Sequence, residues 1–412
     1  MGPRRSALSR RRRTFRKRSL AGGSVALLAG ALILLVVGIV AGTNAVVNRG
    51  NDGDSEPSRA AAGSLGDLTT YLILGTDSTD GAPQARWMTL IGLDDNGKAS
   101  IAYLPAHTAY EVPGLGLQGI GEALGAGGVS LVSLSIENML GVPVDHFIEL
   151  PSGDADALFR QTGDLTVNVP QEVRVSAGAD AAQVLFDAGE QTLPPRFQVD
   201  LLYEIGLESD ETELGARHLV FWQAFLETHS ADPDALGAAL EGAAGALDSS
   251  DSPSADQVSF FTELVSLPME DVSIASLPVE EEVVGETELY SIDDAEIHSF
   301  VEDTFGSSSR GDQVRVQILN GNADPSAAQE VAEKLVGRGF KVVLSGNADR
   351  LDYGDTRLLV YDSTPEAQVA GERARELLGV GDIQVSVQQQ GIVDLTIVVG
   401  KDFIDATEAD SD

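Results

Sequence analysis

The sequence predicts an α/β protein: a single N-terminal transmembrane helix, a larger α/β domain on a mixed sheet, then a small α/β domain. Three observations predict it. A thirty-residue uncharged run follows an arginine-rich start, strand and helix periodicities alternate between residues 67 and 306, and a regular strand–helix grammar fills residues 313–405.

Charge sets the topology. Residues 1–19 hold nine Lys and Arg and no acid, leaving 18 basic against 64 acidic residues in the rest of the 412-residue chain. After Arg18 the next charge is Arg49, and the centre of that gap, Val25 to Gly42, is almost wholly apolar. A bilayer is spanned by about 20 such residues, so residues 20–47 read as a membrane anchor. A cleaved signal peptide and a buried core helix are the other readings. The run exceeds the roughly 7 to 15 residues of a signal h-region, while Ala41, Gly42 and Ala45 leave a cleavage site open. The positive-inside rule keeps the basic tail in the cytoplasm and turns the rest outward. Residues 48–66, rich in Gly, Ser, Asp and Ala, read as a flexible tether.

In residues 67–306, Leu68 to Gly75 reads as a buried strand. Trp87 to Gly97 reads as a strand entering a D-N-G turn, and Lys98 to Pro105 as its hairpin partner. Helical spacing follows from Ser130 to Leu140, then the segment Val144 to Leu150, a short helix around Ala155 to Phe159, and the segment Asp164 to Pro170. Leu214 to Thr228 has the spacing of a core helix. Residues 231–253 join an alanine-rich helix to a polar surface loop, D-S-S-D-S-P-S, and are followed by a helix over Ala255 to Ser266 and a strand over Val272 to Leu277. Ser307 to Asp312 marks a domain boundary. In residues 313–405 the strands are Val314 to Asn320, Lys341 to Gly346, Arg357 to Asp362, Ile383 to Val387 and Leu395 to Gly400. Two helices alternate with them, one capped by Asp324 with Pro325 in its first turn, the other begun by Thr364 and Pro365. Residues 406–412 read as a frayed acidic tail.

Composition excludes much chemistry. With no cysteine there is no disulfide, thiolate zinc site, iron–sulfur cluster or cysteine nucleophile, and a net charge of −37 argues against a nucleic-acid partner. The five histidines never fall at a metal-ligand spacing and read as surface or structural residues. The one G-x-G-x-x-G, Gly114 to Gly119, lies behind Pro113 and ten residues past the nearest expected strand, so it does not read as a dinucleotide site. Asp94, Asp95 and Glu280 to Glu282 read as solvated charge.

Two strings carry a resemblance. Leu72 to Ser78 (L-I-L-G-T-D-S) and Gly125 to Leu150, which ends in G-V-P-V-D-H-F-I-E-L, are similar to motifs of the LytR-CpsA-Psr family. Residues 313–403, with I-L-N-G-N early and V-V-G-K-D-F late, resemble the LytR C-terminal domain. The resemblance implies transfer of a polymer from a polyprenyl-pyrophosphate carrier to peptidoglycan or a similar acceptor, with arginines on the pyrophosphate and aspartates on a divalent metal. It also implies an apolar slot for the lipid.

The sequence departs from that family at its charged positions. Asp77 is followed by Ser78 and Thr79 where an arginine is expected two positions on. Arg86 stands where a metal-binding aspartate is expected. Pro105-Ala106-His107-Thr108 lacks an arginine and an aspartate, the later arginine pair falls near Tyr203 and Ile205, and Arg217 alone survives of another motif. Asp77 thus reads as a metal-ligand remnant or a strand-end turn residue. Arg217 and Arg86 read as phosphate-binding remnants, with a helix-surface ion pair as the other reading of Arg217. Asp145 and His146 read as structural.

The expectation is an anchored extracytoplasmic protein of cell-envelope assembly that binds or scaffolds without catalysis. It would have no resident cofactor, and its partners would be the membrane and a polyprenyl-linked glycan, peptidoglycan or another envelope protein. The alternative is a divergent active phosphotransferase in which Asp77, Glu122, Arg86 and Arg217 rebuild a metal and pyrophosphate site around a divalent cation such as Mg. An envelope sensor is a third reading, which the short basic tail supports poorly.

Overall fold

The computed structural model describes residues 68–77, 83–178, 181–207, 209–284, 287–306, 313–386 and 392–411. The expected tail, anchor and tether, and the boundary at Ser307 to Asp312, lie outside these residues.

The described chain opens with β1 (Leu68–Asp77), β2 (Gln84–Asp94) and β3 (Ala99–Leu104), an antiparallel meander. Its second turn is pinned by Asp94, whose carboxylate accepts from the Asn96 and Lys98 amides, while Gly97 takes the positive φ the turn requires. A hairpin follows, β4 (Ala109–Val112) and β5 (Gly116–Gly119). It contains the G-x-G-x-x-G, so a strand does end just before that motif, contrary to the sequence reading. Gly114 and Gly116 take positive φ at the hairpin turn, so these glycines serve the turn between β4 and β5.

Helix α1 (Ala123–Leu140) starts earlier than its spacing suggested and is broken at Gly127–Gly128. With the short turn before it, it gives the one span, Ile120–Leu140, that is long and apolar enough to cross a membrane among the described residues. It is a largely buried core helix of this fold. Next come β6 (His146–Pro151), parallel to β1, and α2 (Ser152–Thr162). The segment Asp164 to Pro170 holds β7 (Leu165–Val169), and three short strands that periodicity did not separate follow: β8 (Val173–Ser176), β9 (Ala182–Phe186) and β10 (Gly189–Leu193). Then α3 (Pro195–Tyr203), α4 (Glu211–His229), α5 (Pro233–Gly242) and α6 (Ser254–Ser266) lead to β11 (Val272–Ser276), parallel to β3. The loop before α6 is no free surface loop: Asp251 accepts from the Phe147 amide and the Ser249 carbonyl from the Glu149 amide, which ties it along β6.

The hairpin β12 (Glu280–Val284) and β13 (Thr287–Ser291) precedes α7 (Asp294–Phe305), whose N-terminus is closed by an Asp293/Glu296 capping box. The second part comprises β14 (Val314–Asn320), α8 (Ala327–Leu335), β15 (Phe340–Asn347), β16 (Arg357–Val360), α9 (Pro365–Leu378), β17 (Asp382–Val385) and β18 (Leu395–Val399). It ends in α10 (Lys401–Ser411), so the frayed tail is helical up to Ser411. Asp324 does not cap α8. It accepts from the Ser326 amide and hydroxyl in the turn ahead of it.

Two mixed five-stranded sheets result, in the orders β11-β3-β2-β1-β6 and β15-β14-β18-β16-β17. The first is buried on both faces, which explains why its strands read as continuous apolar runs. Leu72, Leu74, Met88 and Leu90 face α1 and α7, while Tyr71, Ile73, Trp87 and Ile91 face the layer of α2 to α6. The cluster on the α1 side continues without a break into Val316, Phe340 and Val342 of the second sheet and Val331 of α8, so the two parts share one apolar core.

That seam is also polar. The buried Asn138 amide donates to the Val342 carbonyl (2.9 Å) and accepts from its amide (2.8 Å), holding the outer edge of β15. The Ser345 hydroxyl donates to Glu111 and accepts from the Gly114 amide, and Lys341 pairs with Asp294 at 2.6 Å. Burial pushes Glu111 and Glu137, both at this seam, up to about 7.

Candidate functional site

The opposite face of the first sheet carries a cleft of about 580 Å³. Two helices and one strand build it. Helix α2 buries Ala155 and Phe159 and turns Asp156 and Arg160, one helical turn apart and ion-paired, to the open side. Helix α3 starts at Pro195, buries Val199 and Leu202, and turns Arg196 and Asp200 into the same cleft. Strand β2 adds Arg86, exposed, and with no carboxylate at ion-pair distance among the described residues. Three guanidinium groups thus alternate with Asp156, Asp200 and Glu204. Burial raises the Asp200 carboxyl, and Arg196 partly offsets this.

Behind the cleft lies an apolar slot, walled by the neighbours in sequence of the same residues: Trp87 beside Arg86, Leu158 and Phe159 beside Arg160, Leu202 beside Tyr203. Ile73, Ile148, Phe221 and Phe225 complete its wall, and its free space is about 50 Å³.

A third feature lies within reach of the Arg86 charge. His107 sits in the turn after β3, where its amide donates to buried Glu211 (3.1 Å) and its Nδ1 contacts the same carboxylate. Glu211 begins α4, where the helix N-terminus favours a carboxylate, and its own amide donates to the Tyr290 hydroxyl. Glu211 raises the His107 pKa through this hydrogen bond against partial burial, Glu122 adds to the rise, and Arg86 opposes it.

Of the residues singled out in the sequence, Arg86 and Arg217 have different surroundings. Arg86 lines the cleft. Arg217 is 2% exposed and donates to the carbonyls of Leu201 and Glu204, closing the C-terminal end of α3, and burial pushes it down to about 10. It is neither on the helix surface nor on the cleft wall. Asp77 ends β1 opposite Gln84, and its side chain lies outside the described residues. Glu122 sits in the turn ahead of α1. Asp145 accepts from the Thr70 amide and hydroxyl. Among the described residues no three His, Asp or Glu side chains group to hold a metal ion. With Arg86 in an aspartate's expected place, the described donor set does not fit a divalent cation. Arg160, Arg196 and the His107–Glu211 pair were not legible as site residues, because each partner lies on a different element.

Residues 313–403 match the family described as LytR cell envelope-related transcriptional attenuator. A comparison with curated proteins finds no match. Among similar solved structures are TagV of B. subtilis (14% identity over 58% of this chain and 98% of that one, TM-score 0.49) and the LytR-Csp2A-Psr enzyme of Actinomyces oris (19%, 59% and 91%, TM-score 0.47). Another is the LytR-CPS2A-psr family protein YwtF (TagT), solved with octaprenyl pyrophosphate lipid (16%, 60% and 95%, TM-score 0.42). Residues 313–403, the last quarter of the chain, thus match the LytR C-terminal family and pack onto an α/β domain with a mixed sheet.

Proposed function

We propose that this chain is an outward-facing protein of the bacterial cell envelope, anchored by its N-terminal helix, whose cleft binds the phosphorylated end of a glycan without transferring it. The observation that carries this is the mixed charge of the cleft. Arginines supply planar forks for phosphate oxygens, and the interleaved carboxylates accept from sugar hydroxyls. The cell-envelope description of the C-terminal family supports the setting, and the arginine-rich tail with its uncharged run supports the anchor and its orientation.

A second reading, a divergent phosphotransferase, draws on His107, whose imidazole Glu211 orients close enough to Arg86 to feel its charge. One experiment separates the two. The full-length chain in lipid nanodiscs is titrated with a sugar 1-phosphate and then incubated with a polyprenyl-pyrophosphate-linked glycan, with and without Mg. Saturable binding that Arg86→Ala weakens at least tenfold, with no turnover, is expected. Turnover abolished by both Arg86→Ala and His107→Asn would replace the binding reading with the catalytic one. An ectodomain that resists external protease on intact cells, where an exported control is cut, would overturn the outward orientation.

A further inference from the structure

From the packing between cleft and slot we infer that Trp87 is a plug: it seals the apolar slot from the arginine cleft, so the site takes a water-soluble phosphorylated head group and excludes an attached lipid tail. The head-group half of this inference rests on the cleft reading above, whereas the plug rests on packing alone.

The Trp87 indole is 2% exposed and lies flat against Gly75, where a Cβ would collide with it; β1 therefore needs glycine at this position. Its ring meets Tyr203 edge-on, with centroids 5.5 Å apart, and His218 at 4.8 Å. Tyr203 is itself fixed by a hydrogen bond from its hydroxyl to the Leu150 carbonyl. Trp87 and Tyr203 thus form the partition, since Tyr203 lines the cleft and Trp87 the slot. On the slot side Phe159, Phe221 and Phe225 fill the space, leaving about 50 Å³, room for a water or two and far less than an alkyl chain needs. The ring holds this place at the cost of a hydrogen bond. Its indole Nε1 has no hydrogen-bond partner among the described residues, although a buried indole N–H usually finds one.

The test is a chain-length series. Ethyl, butyl and octyl pyrophosphate are titrated by calorimetry into the full-length chain in nanodiscs, with empty nanodiscs subtracted. A tail that enters an apolar slot tightens binding about fourfold per buried methylene. The wild type is expected to bind all three within about threefold of one another, and Trp87→Ala to bind octyl at least fiftyfold tighter than ethyl pyrophosphate. Wild-type affinity that climbs with chain length overturns the plug. If no pyrophosphate binds at all, the cleft reading fails, and octanol then tests the plug alone: excluded by the wild type and taken up by Trp87→Ala if the plug is right, taken up by both if it is wrong. If Trp87→Ala does not fold, Trp87→Leu, which keeps apolar contact and removes the second ring, is expected to show the same slope in weaker form.

Discussion

The seam between the two sheets and the cleft on the far face of the first sheet treat polar groups in opposite ways. At the seam they are buried and committed: Asn138 holds both main-chain groups of Val342, and Glu111 accepts from Ser345. In the cleft the three arginines are exposed, and Arg86 is left without an ion-pair partner among the described residues. A committed polar group fixes structure, because removing its partner strands a buried donor or acceptor. An uncommitted exposed one contributes little to stability and is free for a ligand.

Substitutions can break that contrast. The largest effect is expected at Asn138→Leu, which leaves the Val342 amide and carbonyl unpaired and destabilises the chain by about 4 kcal/mol. Urea unfolding measures the loss, and hydrogen exchange should show it first in β15, with sugar-phosphate binding unchanged. Arg217→Met comes next, at about 3 kcal/mol, because the Leu201 and Glu204 carbonyls lose their donor. A loss of binding with no loss of stability would instead return Arg217 to the cleft.

The two seam glutamates predict a pH dependence. Both are raised from 4.5 to about 7 in the folded chain, so the unfolded chain releases these protons first as pH rises. Their neutral forms are accommodated in full below about pH 4.5, and stability is lost as pH climbs from there through about 7, on the order of 3 kcal/mol each. Burial is the main cause at both. Ser345 opposes it at Glu111, Asp145 adds to it and Arg338 opposes it at Glu137, and His146, Asp251 and Glu333 line the same pocket as Glu137. Glu111→Gln with Glu137→Gln should flatten urea midpoints between about pH 5 and pH 8, and an unchanged slope would remove the seam as its source. The smallest effect on stability, under about 0.5 kcal/mol, belongs to Arg86→Ala, which should nonetheless weaken anion binding at least tenfold. That pairing sharpens the contrast most.

What the sequence disclosed follows from how local each signal is. The meander β1 to β3 was legible because D-N-G chemistry sits between two apolar runs, and the second sheet because its strands and helices alternate at short intervals. The strands β8 and β9 were missed because most of their side chains are exposed, so no periodicity marks them. Helix α3 was missed although Pro195 at its start and the spacing of Val199 and Leu202 were available to read. The cleft was only partly legible. Arg86, Arg160 and Arg196 lie on three separate elements and meet only through tertiary packing, and Arg217, chosen for its place in a motif, turns inward because the end of α3 needs a donor. His107 and Glu211 are 104 positions apart, beyond the reach of any spacing rule.

The edge of the second sheet has a consequence for cutting the chain. β15 is an outermost strand eight residues long, while the opposite edge, β17, spans only four. A long bare edge is a template for pairing with other chains. Within the protein, α1 and the β4–β5 hairpin cover β15 through Asn138 and the Ser345 contacts. Expressed without residues 68–305, the segment 313–411 would offer that edge to its own copies, so self-association into oligomers or fibres is the expected outcome of producing it alone.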